Sequence, residues 1–206
     1  MNRLSNLINY RVFNKSRKNN VILFHGLFAN SGYWLPYLNS FKNYRIIVFD
    51  FNYNNLFLEE YDNFIKLLFE NFDKLNINSE TDFLISHSLG TVIGKVISNK
   101  FDLKSYEICP IYFAKRNSIN DFLLDVRKKT KLKLEHLKRT HSTINFFLKK
   151  NLYKIKNLES RSNFFIPSKD RYYNYRLDDC NLFYFSGDHF DIEDALNIIN
   201  NIRSNE

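Results

Sequence analysis

The stretch that decides the fold is "DFLISHSLGTVIG", Asp82 to Gly94. An apolar run stops at Ser86-His87-Ser88-Leu89-Gly90 and passes without a linker into a helical pattern. A serine at such a junction is either a polar turn residue or a nucleophile. A sharp strand-to-helix turn holds a hydroxyl clear of the sheet, provided the residues two before and two after are small. Those residues are Ser86 and Gly90. Ser86 stands where glycine is usual, and it is small enough to keep the turn. The placement of Ser88, after an apolar strand and before a helix, favours the nucleophile.

Outward from this junction the chain alternates. Asn20–Gly26, Tyr44–Phe51, Asp82–His87, Leu103–Pro110, Asn163–Pro167 and Asn181–Gly187 are short runs, apolar on both faces, as strands covered by helices are. A further strand is expected near Tyr10–Asn14. Ser31–Phe41, Leu56–Leu75, Leu89–Asn99 and Phe190–Ile202 carry helical patterns. In Leu56–Leu75, Phe57, Tyr61, Phe64, Ile65, Leu68 and Phe72 recur at helical spacing. The alternation predicts an α/β fold, with a mainly parallel central sheet and helices on both faces. At 206 residues and 24.8 kDa, one domain with one sizeable core is expected.

Ala114–Lys156 interrupts the alternation. It holds 13 Lys/Arg and 3 Asp/Glu, a balance of +10, whereas the rest of the chain balances at −2. The net charge of +8 is therefore a property of one segment. Its apolar points are Phe122, Leu123, Val126, Leu132, Leu134, Leu137, Ile144, Phe147, Leu148 and Leu152. They predict two or three helices, since structureless loops beyond about 15 residues are uncommon in compact domains. A basic face of this kind is either a solvated helical surface or an attractor for an acidic partner.

A serine nucleophile needs an oxyanion site, a base and a carboxylate. "FHGLFANSGYW", Phe24–Trp34, is a strand ending in His-Gly. The amide of Leu27 and the amide after the nucleophile, Leu89, are the expected oxyanion donors. Of the five histidines, His25, His87, His136, His141 and His189, the last follows the final strand and precedes the final helix. That is where a base belongs in the chain order serine, acid, histidine. His136 and His141 are expected at the surface. His87 neighbours Ser88, but adjacent residues on a strand point to opposite faces. Asp170, a short turn after the penultimate strand, is the candidate acid that orients the base. Asp178 and Asp179 are alternatives, Asp102 and Glu107 weaker ones, and Asp50, which precedes Ser88, reads as structural.

On His25-Gly26, Ser86-x-Ser88-x-Gly90, Asp170 and His189 in this order, the chain resembles an α/β-hydrolase from Asn20 to Ile202. The resemblance implies the α/β-hydrolase fold in a single domain spanning residues 1–206. It also implies that Ala114–Lys156 is a basic helical lid inserted in that domain. Two departures stand out: Ser86 replaces a glycine, and the turn after Tyr44–Phe51 is "DFNYNN" without glycine.

The implied activity is ester hydrolysis through an acyl-enzyme, with no metal or organic cofactor. Small hydrolases with basic lids resemble the pimeloyl-acyl-carrier-protein methyl esterases of biotin synthesis, and acyl carrier proteins are acidic. Lys128, Lys129, Lys131, Lys133, Lys138 and Arg139 would then form the docking surface, and Phe28, Trp34 and Phe113 would line the acyl pocket. An acyl thioesterase and a general small-ester carboxylesterase are the enzyme alternatives. A catalytically inert binding module with the same fold is the alternative outside enzymology. The sequence pI of about 9.3 allows nucleic-acid binding, but no nucleic-acid motif accompanies the charge. Two cysteines, Cys109 and Cys180, lack metal-ligand spacing and fit a reducing cytoplasm. No apolar run reaches the roughly 18 residues of a spanning helix, and the N-terminus has no signal-peptide core. Nothing in the sequence specifies an oligomeric state.

Overall fold

Strands that read as continuous apolar runs belong in the middle of a covered sheet, and their burial follows that rule. The computed structural model describes residues 7–53, 60–111, 114–116, 119–130, 132–139, 141–142, 145, 162–175 and 181–205. Strands β2 (Asn20–Phe24), β4 (Phe83–His87) and β7 (Ser162–Pro167) are buried at every position. β3 (Arg45–Phe51) and β5 (Lys104–Ile108) are nearly so. The edge strands β1 (Ile8–Phe13) and β9 (Asn181–Phe185) are largely half-buried or exposed. The seven strands lie in the order β1-β3-β2-β4-β5-β7-β9. β1 runs antiparallel to β3, and the other pairs are parallel.

Alternate residues of each strand feed opposite cores. Ile22, Phe24, Ile47, Phe49 and Leu84 face α1 (Tyr61–Asp73) and α2 (Leu89–Phe101). Val21, Leu23, Ile46, Val48, Phe83 and Ile85 share the other core with Trp34 and Phe41, and with Ala195, Leu196 and Ile199 of the final helix. That helix follows α3 (Ile119–Thr130) in the chain and is α4 (Glu193–Ser204). α1 buries Tyr61, Phe64, Ile65, Leu68 and Phe72, each side chain worth about 1.5–3 kcal/mol when fully withdrawn from water. Phe57 lies outside the described residues.

Ser31–Phe41 is a run of 3-10 turns containing Pro36, whose missing N–H and fixed ring oppose a regular α-helix. Asn30 caps it by accepting from the Gly32 amide at 2.8 Å. The basic segment opens as a strand, contrary to the all-helical expectation. β6 (Ala114–Arg116) pairs antiparallel with β8 (Tyr173–Tyr175), a partner too distant in sequence for local pattern to reveal. α3 follows, then a helical turn at 134–139. Leu123, Val126 and Leu137 are buried in the α1/α2-side core, while Ile144, Phe147, Leu148 and Leu152 lie outside the described residues. Among the described residues no helix is long and apolar enough to cross a membrane.

The chain places β3 on one side of β2 and β4 on the other. The crossover direction therefore reverses there, and a crevice opens beyond the carboxyl ends of these strands.

Candidate active site

Ser88 sits between β4 and α2 with φ 52° and ψ −119°, a conformation costly for a residue with a Cβ. The turn is over-determined. The Ser88 amide donates to the Ile108 carbonyl at 2.9 Å, and the Ser88 carbonyl accepts from the Thr91 amide and hydroxyl at 3.0 and 2.6 Å. A Cβ on Gly90 would lie 2.6 Å from the His25 carbonyl oxygen, so only glycine lets α2 start this close to β2. Ser86 is accommodated by Gly94, where a Cβ would lie 2.8 Å from the Ser86 hydroxyl oxygen. The space lost at position 86 is recovered one helical turn along α2. The Ser86 hydroxyl is buried without a hydrogen-bond partner.

His189, between β9 and α4, brings Nε2 to 2.8 Å from Ser88 Oγ and Nδ1 to 2.8 Å from Asp170 Oδ2. The two side chains of the ion pair are 1% and 2% exposed. Asp170 Oδ1 accepts from the Tyr172 amide at 2.8 Å, which fixes the carboxylate plane. A carboxylate only accepts, so Nδ1 carries the proton and Nε2 is free to accept one from Ser88. Asp178 and Asp179 lie outside the described residues. Asp102 caps the far end of α2, and Glu107 is buried within β5 beside Ser105. Asp50 accepts from the Ser31 hydroxyl at 3.1 Å.

His25 orients the loop opposite. Its Nε2 accepts from the Phe51 amide at 2.9 Å, so its Nδ1 carries the proton and donates to the Gly26 carbonyl at 2.7 Å. The peptide is trans, so the Leu27 N–H points away from that carbonyl. The Leu89 N–H begins α2, where first-turn amides have no intrahelical acceptor and the helix dipole favours negative charge.

Ser88, His189, Gly26 and Leu27 border a cavity of about 300 Å³. Leu27, Phe28, Ala29, Val126 and Phe190 form its apolar wall. Tyr33, His87, Ser88 and His189 supply polar atoms, and no Lys, Arg, Asp or Glu lines it among the described residues. Phe28 is thus on the wall, held at φ 60°. Trp34 is not: it is fully buried in the core beneath α4, and its neighbour Tyr33 takes the cavity position. Successive residues of a helical turn face different ways, so the aromatic pair divides between core and site. Phe113 lies outside the described residues.

His87 also faces the cavity, which strand alternation does not anticipate. The positive φ of Ser88 turns the chain off the strand, so the two side chains are no longer on opposite faces. The His87 ring stacks on Tyr33 with centroids 5.0 Å apart. Burial, with His189 as the second cause, lowers its pKa to about 3.

Cys109 is a buried thiol with φ 53°, its Sγ 3.9 Å from the His189 carbonyl. Ligand atoms of Cys109, Asp170 and His189 lie within 4.8 Å of one another, close enough to share a cation, but those of Asp170 and His189 already bond each other. α3 is tied to the acid loop: Asp125 accepts from Arg171 at 2.5 Å and from the Tyr172 hydroxyl at 2.9 Å. Lys128, Lys133, Lys138 and Arg139 are exposed, and neither His136 nor His141 lines the cavity. Lys131 and the Lys129 side chain lie outside the described residues.

No family model and no curated protein sequence matches the chain. Solved structures do. The thioesterase domain from the curacin biosynthetic pathway superposes with a TM-score of 0.64 at 14% identity, covering 96% of this chain and 95% of that one. An epoxide hydrolase from Bacillus megaterium gives 0.63 at 13%, with coverage of 96% and 95%. An α/β-hydrolase fold protein from Burkholderia ambifaria gives 0.61 at 12%, with coverage of 97% and 94%. At such identities the likeness is one of architecture, and it agrees with the strand order: the chain has the α/β-hydrolase fold.

Proposed function

We propose that the protein is a serine hydrolase that cleaves carboxylic esters through an acyl-enzyme. The observation that carries this reading is the unbroken chain from Ser88 Oγ through His189 to Asp170, opening on an apolar cavity. Ser88 Oγ attacks the ester carbonyl as its proton passes to His189 Nε2. The carbonyl oxygen becomes an oxyanion received by the amides of Leu27 and Leu89, one such donor being worth about 3 kcal/mol. The imidazolium, held by Asp170, protonates the departing alkoxide as the C–O bond breaks. Water, deprotonated by the same nitrogen, then releases the acid and restores Ser88. A fluorophosphonate probe should label the protein, and Ser88→Ala should abolish both labelling and hydrolysis. Hydrolysis that survives Ser88→Ala would sink the assignment.

Within this chemistry we propose the methyl ester of pimeloyl-acyl carrier protein as substrate, with Ala114–Lys156 as a lid. The cavity is at the small end of the roughly 300–1,000 Å³ range of ligand sites, and its uncharged wall suits an acyl chain with no free carboxylate. α3 puts Val126 on the wall and Lys128 at the surface, so one helix joins the pocket to a basic face. Lys133, Lys138 and Arg139 extend that face, and Lys129 and Lys131 belong to it by sequence. The product identifies the reaction: methanol for the methyl esterase, free carrier thiol for a thioesterase. Neutralising Lys128, Lys133, Lys138 and Arg139 together should slow turnover of the carrier-bound ester and spare free short-chain esters.

A further inference from the structure

His87 lies outside the reaction as written, yet it contacts the base. Its Nε2 is 2.7 Å from the His189 backbone carbonyl oxygen. A carbonyl can only accept, so Nε2 carries the proton and Nδ1 is a bare lone pair. That Nδ1 is buried without a hydrogen-bond partner, packed against Gly26, where a Cβ would sit 3.1 Å away. The ring is clamped between Tyr33 at 5.0 Å and the His189 ring at 5.4 Å. It is 3% exposed.

Packing alone does not favour this residue. A buried acceptor with no donor is unfavourable, and leucine would fill a similar volume without that penalty. What leucine lacks is the N–H. The donor reaches the backbone of the one residue whose ring must stay between Ser88 and Asp170. That residue sits in a connection between β9 and α4, not inside either element. We propose that His87 is a positioning residue: its Nε2–H anchors the His189 backbone and thereby sets the imidazole between hydroxyl and carboxylate. The groups around it agree. Tyr33 stacks on one face of the ring, and His189 approaches it from the loop that carries the base. A neutral ring keeps its single proton on the useful nitrogen and places no second positive charge beside the base.

The inference rests on the assignment of Ser88 and His189 above, and the test separates the two. His87→Leu and His87→Gln are compared with the parent chain on p-nitrophenyl acetate and by the low-field NMR signal of the His189 Nδ1–H. Gln places an amide N–H where the imidazole Nε2–H was. In His87→Leu, kcat should fall about 10- to 100-fold, the scale of a small misplacement of a reacting group, with KM within about threefold. Its melting temperature should be unchanged or higher, and the low-field signal should broaden or vanish. In His87→Gln, kcat should return to within about threefold of the parent, with the signal restored. A folded His87→Leu that keeps both kcat and the signal overturns the proposal, as does a folded His87→Gln as impaired as His87→Leu. A parent chain that fluorophosphonate does not label breaks the esterase reading instead, and the NMR comparison then decides the positioning role alone.

Discussion

Two of the buried polar chains among the described residues differ in what they open onto. One runs Ser88–His189–Asp170 at the carboxyl ends of the strands. The other runs Lys95–Ser162–Ser105–Glu107 between α2 and the sheet, with contacts of 2.6, 2.9 and 3.2 Å. Both are almost wholly withdrawn from solvent. The second is built from regular elements: Ser105 and Ser162 are register partners on β5 and β7, and Lys95 reaches them from α2. The first is built at element ends and begins on a strained residue beside a cavity. Burial and satisfied hydrogen bonds therefore do not by themselves mark chemistry. Access, strain and an acceptor nitrogen aimed at a hydroxyl are what set the first chain apart.

Removing one group from each chain should separate catalysis from stability. Asp170→Asn leaves the geometry but favours the wrong tautomer of His189, and kcat on a short-chain ester should fall about 10⁴-fold. If the rate fell less than tenfold, the first chain would lose its claim to chemistry.

Next in size is an acid effect at His87. Its folded pKa of about 3 lies below the ordinary 6.5. Between those values the unfolded chain binds a proton that the folded chain refuses. Stability from this residue is thus complete above about pH 6.5 and declines as pH falls toward 3, by up to about 4 kcal/mol. Thermal melts of the parent and His87→Gln from pH 7 to 4 should diverge, the parent losing more on acidification. Parallel curves would contradict it.

Lys95→Met should leave turnover per folded molecule within about twofold but cost roughly 1–3 kcal/mol in urea unfolding, because the buried Ser162 hydroxyl loses its donor. A large drop in turnover would erase the distinction between the two chains. The smallest effect is expected at Ser86. Ser86→Ala removes a buried hydroxyl without a partner and should stabilise by about 1 kcal/mol with turnover unchanged.

The sheet was largely legible because its central strands are apolar at nearly every position, a signal carried within five to seven residues. The Ser88 turn was legible for a related reason: small residues at 86 and 90 and an immediate helix are local requirements. Asp170 and His189 stand out by their chain order relative to strands, and the structure brings His189 to 2.8 Å from both Asp170 and Ser88. Trp34 was misassigned to the pocket, since neighbours in 3-10 turns give no fixed period for telling core from cavity. β6 and β8 were missed because three-residue strands depend on a partner some 60 positions away.

By itself the sequence determined the alternation of elements, the position of the turn and the order of hydroxyl, carboxylate and imidazole. All of these follow from interactions between near neighbours along the chain. Tertiary structure decided which side chains share the cavity. It swung His87 toward the base, put Tyr33 rather than Trp34 beside it, brought Val126 from the basic segment to the wall and let Gly94 make room for Ser86. Those outcomes depend on contacts between residues remote in sequence and on one backbone angle at Ser88, and neither is encoded in local periodicity.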